Sequence, residues 1–153
     1  MCDRADCYLC SLIANLFIIA GSSALLVYWF RYTCALILQR EHSADYALKV
    51  ASTIRLNFPQ TEKALQADPR PPALDRLHEC LENDYRILTG LLREASAGNS
   101  IERRILTIDY QVMRAWFKLT RRSDASSQAR NALAEMSSIL GYFAAEIAQT
   151  GAI

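Results

Sequence analysis

No charged residue stands between Asp6 and Arg31, and that interval constrains the chain more than any other feature of it. Cys7 to Phe30 reads CYLCSLIANLFIIAGSSALLVYWF, 24 residues. As a helix it rises roughly 36 Å, against a bilayer hydrocarbon core about 30 Å thick. The polar residues inside the run, Ser11, Asn15, Ser22 and Ser23, are not ionisable. Tyr8, Tyr28, Trp29 and Tyr32 lie near its ends, where amphipathic rings favour headgroup depth. The run predicts a single transmembrane helix over 8–30, with a short tail at 1–7 before it and a helical bundle domain over 31–153 after it.

A cleaved signal peptide fits less well. The leading MCDRAD holds two Asp and one Arg in place of a basic leader, and the apolar run exceeds the usual about 7 to 15 residues. Cleavage near Ser22 to Ala24 would leave Leu25 to Phe30 as an exposed apolar end. A wholly buried core helix is the other alternative. Arg4 before the run is opposed by Asp3 and Asp6, whereas Arg31, Arg40, Lys49 and Arg55 follow it, so the Lys and Arg bias places the C-terminal bundle on the cytoplasmic side. Met-Cys is not a myristoylation start and TGAI is not a prenylation box.

The chain as a whole is one domain's worth: 153 residues, 52% hydrophobic and 22% charged, which is enough apolar surface to offset chain entropy. With 17 Lys plus Arg against 16 Asp plus Glu, the formal charge of +1 gives no basic field for phosphates, and no nucleic-acid partner is expected. Five cysteines, an odd count, do not describe a disulfide framework. Cys2, Cys7 and Cys10 match part of an iron-sulfur spacing, but Cys10 already lies in the apolar helix and no clustered fourth ligand follows. They read as small apolar residues at a membrane boundary, with acylation or an interchain disulfide as the alternative.

Beyond the span the apolar positions keep helical spacing. Tyr32, Leu36, Ile37, Ala44, Leu48, Ala51, Ile54 and Phe58 predict one helix leaving the membrane unbroken, stopped by Asn57 in a left-handed cap and by Pro59. A Pro-rich loop over 58–72 follows, with at most a helical turn around Thr61 to Gln66. Leu74, Leu77, Leu81, Leu88, Leu91, Leu92 and Ala95 mark the next helix, ended by Gly98 and Asn99. Ser100 caps another, in which Ile101, Ile105, Ile108, Val112, Ala115 and Leu119 recur at 4-3-4-3-4 and Leu106, Met113, Trp116 and Phe117 widen the apolar face. That helix is expected to be the most buried. Ser123 or Asp124 caps the last, striped by Ala129, Leu133, Met136, Leu140, Phe143 and Ile147. The fold class is all-α: an N-terminal single transmembrane helix continuing into an antiparallel four-helix bundle. In that arrangement the 98–100 turn and the carboxyl terminus face the bilayer, and Arg93, Arg103 and Arg104 join Tyr28, Trp29, Arg31 and Tyr32 as membrane-interface candidates.

Chemistry is sparse. A carboxylate-bridged metal pair needs Glu-x-x-His on two helices, and none occurs. The nearest approach is Asp75, His78 and Glu82 on one helical face, which reads more simply as a solvated surface; His42 has no second histidine close by. No metal and no cofactor are expected. The five glycines form neither a phosphate loop nor a nucleophile elbow, and His78 and Cys80 point to different faces. Arg114, Lys118, Arg121 and Arg122 share one side of a helix beside Trp116 and Phe117, a candidate partner-contact patch whose plainer reading is a solvated face. Asp84 and Asp109 lie near apolar stripes and could pair with such arginines to set register. Tyr85, Tyr110, Met113, Trp116, Met136 and Phe143 either fill the core or line a ligand cavity, and Gly90 and Gly141 mark close helix approach.

These observations favour a membrane-anchored, non-catalytic interaction protein, an accessory or scaffolding subunit whose partners are the bilayer and protein subunits of a membrane complex, with homo-oligomers open. A signal- or ligand-sensing bundle coupled to its anchor is the alternative, and a carboxylate/His metal-dependent enzyme the third.

Overall fold

The computed structural model describes residues 4–39, 44–67, 74–94, 100–121 and 126–150, and every regular element among them is an α-helix. In order these are α1 (Arg4–Gln39), α2 (Ala44–Ile54), α3 (Phe58–Ala67), α4 (Leu74–Glu94), α5 (Ile101–Thr120) and α6 (Ser126–Thr150). Cys2, His42, Gly98, Arg122, Ser123, Asp124 and the prolines at 69, 71 and 72 lie outside the described residues. The chain divides into two compact units, residues 1–37 and 38–153.

The first unit is α1 up to Ile37. One stretch of the described residues, Ile13–Gln39, is long and apolar enough to cross a membrane. From Ile13 to Trp29 its large side chains are exposed, Phe17 at 75% and Leu26 at 69%, whereas Cys34 and Ile37 near its end are buried. Tyr28 and Tyr32, one turn apart, stack at 6.4 Å, and the Thr33 hydroxyl donates to the Trp29 carbonyl at 2.9 Å.

The second unit is assembled around α6, which packs against α2, α3, α4 and α5. Ala129, Leu133, Met136, Ile139, Leu140, Phe143, Ala144 and Ile147 are all fully buried there. Its 25 residues hold three charges, Arg130, Glu135 and Glu146, and alanines recur on several sides, so backbones can approach all round.

The connection after α2 departs from the expected stop. Arg55, not Asn57, takes the left-handed conformation, with φ 57°, and the Leu56 amide donates back to the Ala51 carbonyl at 2.9 Å. This is a Schellman-type cap, and Leu56 itself is buried. Asn57 then begins a new helix: its carbonyl accepts from the amides of Gln60 and Thr61. Pro59 therefore sits in the first turn of α3, where a missing N–H costs nothing, and the first ten residues of the expected 58–72 loop are helix. Phe58, Thr61 and Leu65 bury one face of it.

Helix α5 is also turned differently from the expectation. Leu106, Asp109, Tyr110, Met113, Phe117 and Thr120 are its buried residues. The 4-3-4-3-4 stripe from Ile101 to Leu119 lies roughly 130° away around the helix, at 3.6 residues per turn. The most buried helix is α6. Ser100 does cap α5, its hydroxyl accepting from the Arg103 amide at 3.1 Å. Of the two glycines expected at close approaches, Gly141 alone faces a neighbour, the Phe58 ring 3.7 Å from where a Cβ would stand, whereas Gly90 faces open space.

Candidate functional site

The two charged sets singled out on the sequence meet each other across α4 and α5. From one end of the seam to the other, Tyr85 stacks on Tyr110 at 4.1 Å, Glu82 pairs with Arg114 at 2.8 Å, His78 stacks on Phe117 at 4.6 Å, and Asp75 pairs with Arg121 at 2.8 Å. Descending steps of three and four on α4 match ascending steps of four and three on α5, the register of helices of opposite chain direction. The Tyr110 hydroxyl donates to the Leu81 carbonyl at 3.1 Å.

This ladder sets the carboxylates of one set against the guanidinium groups of the other. The Asp75 and Glu82 carboxylates face guanidinium groups, and no group of three His, Cys, Asp or Glu among the described residues is arranged to hold a metal ion. Burial holds the His78 imidazole below its ordinary pKa; Glu82 opposes this, and Lys118, Arg114 and Arg121 add to it. Its Nε2 has no hydrogen-bond partner among the described residues. Burial, with the Glu82 charge, pushes the Tyr110 phenol up, which keeps it a donor.

Asp84 and Asp109 are both fully buried. The partners of Asp84 are Asn57 and Phe58, not the arginine expected: Oδ2 accepts from their backbone amides at 2.6 and 2.7 Å, and Oδ1 accepts from the Asn57 side-chain amide at 3.3 Å. Of the membrane-interface candidates, Tyr28, Trp29 and Tyr32 are exposed, Arg31 is half-buried and Arg104 is exposed. Arg103 is held by Glu146, its Nη2 2.6 Å from Oε1 and its Nε 3.2 Å away. Tyr110, Met113, Met136 and Phe143 are core; Trp116 is exposed. A cleft of about 280 Å³ opens between α4 and α5, with Tyr85, Leu92, Arg93, Arg103 and Phe143 in its wall.

What sequence reasoning misplaced is the outer face of α5. Ile101 is 75% exposed, Ile108 54%, Val112 45%, Trp116 46% and Leu119 70%, a continuous apolar stripe on a helix whose opposite side is core. Arg104 and Lys118, both exposed, flank it on one side with no ion-pair partner among the described residues. The signal was present as a second spaced series, Leu106, Tyr110, Met113, Phe117 and Thr120, which the first series concealed. Comparison with protein-family models, curated proteins and solved structures finds no match for the chain.

Proposed function

We propose that this chain is a membrane-anchored interaction protein without a catalytic role, an accessory subunit whose α1 spans a bilayer and whose C-terminal helices form an antiparallel bundle on the cytoplasmic side. The observation that supports it is the outward stripe on α5. Solvated helices scatter single apolar side chains; here five large ones line up along one helix, the pattern of a surface made to be covered. The Asp75 and Glu82 carboxylates in the α4–α5 seam are taken up by Arg121 and Arg114, which favours scaffold over catalyst. The cleft beside Tyr85 supports a second reading, a ligand-sensing bundle, and a compound that raises the thermal midpoint of the full chain would favour that one.

The test is extraction of the full-length protein in mild detergent, followed by quantitative mass spectrometry of what accompanies it. A stoichiometric membrane partner is expected with the wild type and its loss with Ile108→Asp/Val112→Asp. A wild type that emerges alone from native membranes overturns the reading.

A further inference from the structure

We infer that the outer face of α5 docks one amphipathic helix of a different protein, a helix with a heptad apolar seam and an acidic flank. The inference rests on the interaction reading and names the partner's chemistry.

The period argues for a helix. Ile105, Val112 and Leu119 fall seven residues apart, and so do Ile101, Ile108 and Ala115, the two interleaved sets that make a coiled-coil seam, with β-branched residues at two of the three positions of the first set. Trp116 extends the exposed apolar face on one flank only, and the seam itself keeps the spacing of a helix partner.

The flanks argue for acid. Arg104, Gln111 and Lys118 precede Ile105, Val112 and Leu119 and form one flank, basic at both ends and roughly 21 Å long at about 1.5 Å per residue. The other flank holds Glu102, Asp109 and Trp116. Glu102 accepts from the Tyr142 hydroxyl at 2.9 Å and Asp109 is fully buried, so neither acid answers the basic side. Arg114 and Arg121 are tied to α4. A second copy is a poor occupant for the same reason. Antiparallel pairing of two such seams brings basic flank against basic flank, and parallel pairing sets Arg104 opposite the position of Asp109, which is turned into its own core. An incoming helix with Glu or Asp at its flanking positions meets both cations.

The test uses the full chain in zwitterionic nanodiscs with Trp29→Phe, which leaves Trp116 as the one indole. The probes are two synthetic 21-residue helices with Leu and Ile at the seam positions, one carrying Glu and the other Lys at the flanks. The expected result is a blue shift of Trp116 emission, with the Glu peptide bound at least about tenfold more tightly than the Lys peptide. Arg104→Glu/Lys118→Glu should invert that order, and Ile108→Asp/Val112→Asp should abolish both. Equal affinities overturn the inference. So does a chain dimer that Ile108→Asp/Val112→Asp dissociates, or a Trp116 shift produced by anionic vesicles without peptide. The two claims fail separately: indifference to peptide charge sinks the acidic helix even where a partner co-purifies, and absence of a co-purifying partner sinks the interaction reading.

Discussion

The Asp84 carboxylate lies 2.7 Å from the backbone nitrogen of Phe58, 26 residues earlier in the chain, and 2.6 Å from that of Asn57. A side chain in the middle of α4 thereby caps the amino terminus of α3. The first turn of a helix has unpaired amides, and a negative charge there also meets the positive end of the helix dipole. Pro59 has no amide to satisfy, so one carboxylate oxygen answers both donors that precede it. From the other side the Ser137 hydroxyl of α6 donates to the Phe58 carbonyl at 3.1 Å. A short helix of ten residues, marginal alone, is thus fixed at its start by two longer ones.

Asp84→Ala is therefore expected to cost about 2 to 4 kcal/mol, because two buried amides lose their acceptor, whereas Asp84→Asn, which keeps an acceptor oxygen, costs about 1 kcal/mol. Denaturant midpoints of the full chain in detergent measure both. The pH dependence has a definite sign. Burial raises the carboxyl above its ordinary value, against the lowering effect of the Asn57 and Phe58 amides. The folded state then binds this proton more tightly than the unfolded one, so the group's contribution is complete below the ordinary aspartate value and is lost as pH rises through the raised one. Asp84→Asn should remove that slope.

Two arginine pairs of similar length should differ in worth. Arg103 and Glu146 are 2.6 Å apart with side chains 14% and 16% exposed, and two guanidinium nitrogens reach the carboxylate. Arg121 and Asp75 are 2.8 Å apart but 39% and 71% exposed. Water and salt screen the second pair, so Asp75→Ala changes stability by under about 0.5 kcal/mol. Arg103→Ala leaves a largely buried carboxylate and costs about 1 to 3 kcal/mol, read from the same denaturant midpoints.

His78 should make the fold sensitive to mild acid. Its imidazole is stacked on Phe117 and faces Glu82 on its own helix and Arg114, Lys118 and Arg121 on α5, and burial lowers its pKa. The unfolded chain takes up the proton first as pH falls, so stability declines from the ordinary histidine value down to the lowered one and is flat above. Asp84 acts with the opposite sign, so each slope is read against its own variant. His78→Phe keeps a ring against Phe117 and should flatten the decline that sets in below the ordinary histidine value, about pH 6.5.

How much of this was legible follows from which signals are one-dimensional. The apolar run, the Ser100 cap and the stripe of α6 depend on neighbours in sequence, and they stand in the structure. The role of Asp84 depends on where α3 begins, 26 residues from it in sequence, and no local rule joins the two. The burial of α5 was misjudged because two heptad-spaced series share that helix. Charge density discriminates between it and its neighbour: α5 has six charged residues in 20, α6 three in 25, and the more charged helix has one face to bury where the other is surrounded. Bulk decides between the two series on α5. No backbone-close packing joins α4 to α5, so the gap is bridged by Tyr110 and Phe117, which Ile and Val could not span.

A pair of alanine substitutions separates those two series directly. Phe117 is fully buried and stacked on His78, so Phe117→Ala removes a large core side chain and should cost about 3 to 5 kcal/mol. Ile108 is 54% exposed on the opposite stripe, and Ile108→Ala should change the stability of the isolated chain by no more than about 0.5 kcal/mol. The contrast reverses if the 101–119 series is the core after all: Ile108→Ala then costs several times more than Phe117→Ala. In complex with a docked helix, Ile108 becomes buried while Phe117 keeps its surroundings, so the Ile108→Ala penalty should appear only when the partner is bound. Thermal midpoints of both variants, measured with and without the Glu-flanked peptide, show whether the exposed series is a surface held in reserve for a second helix.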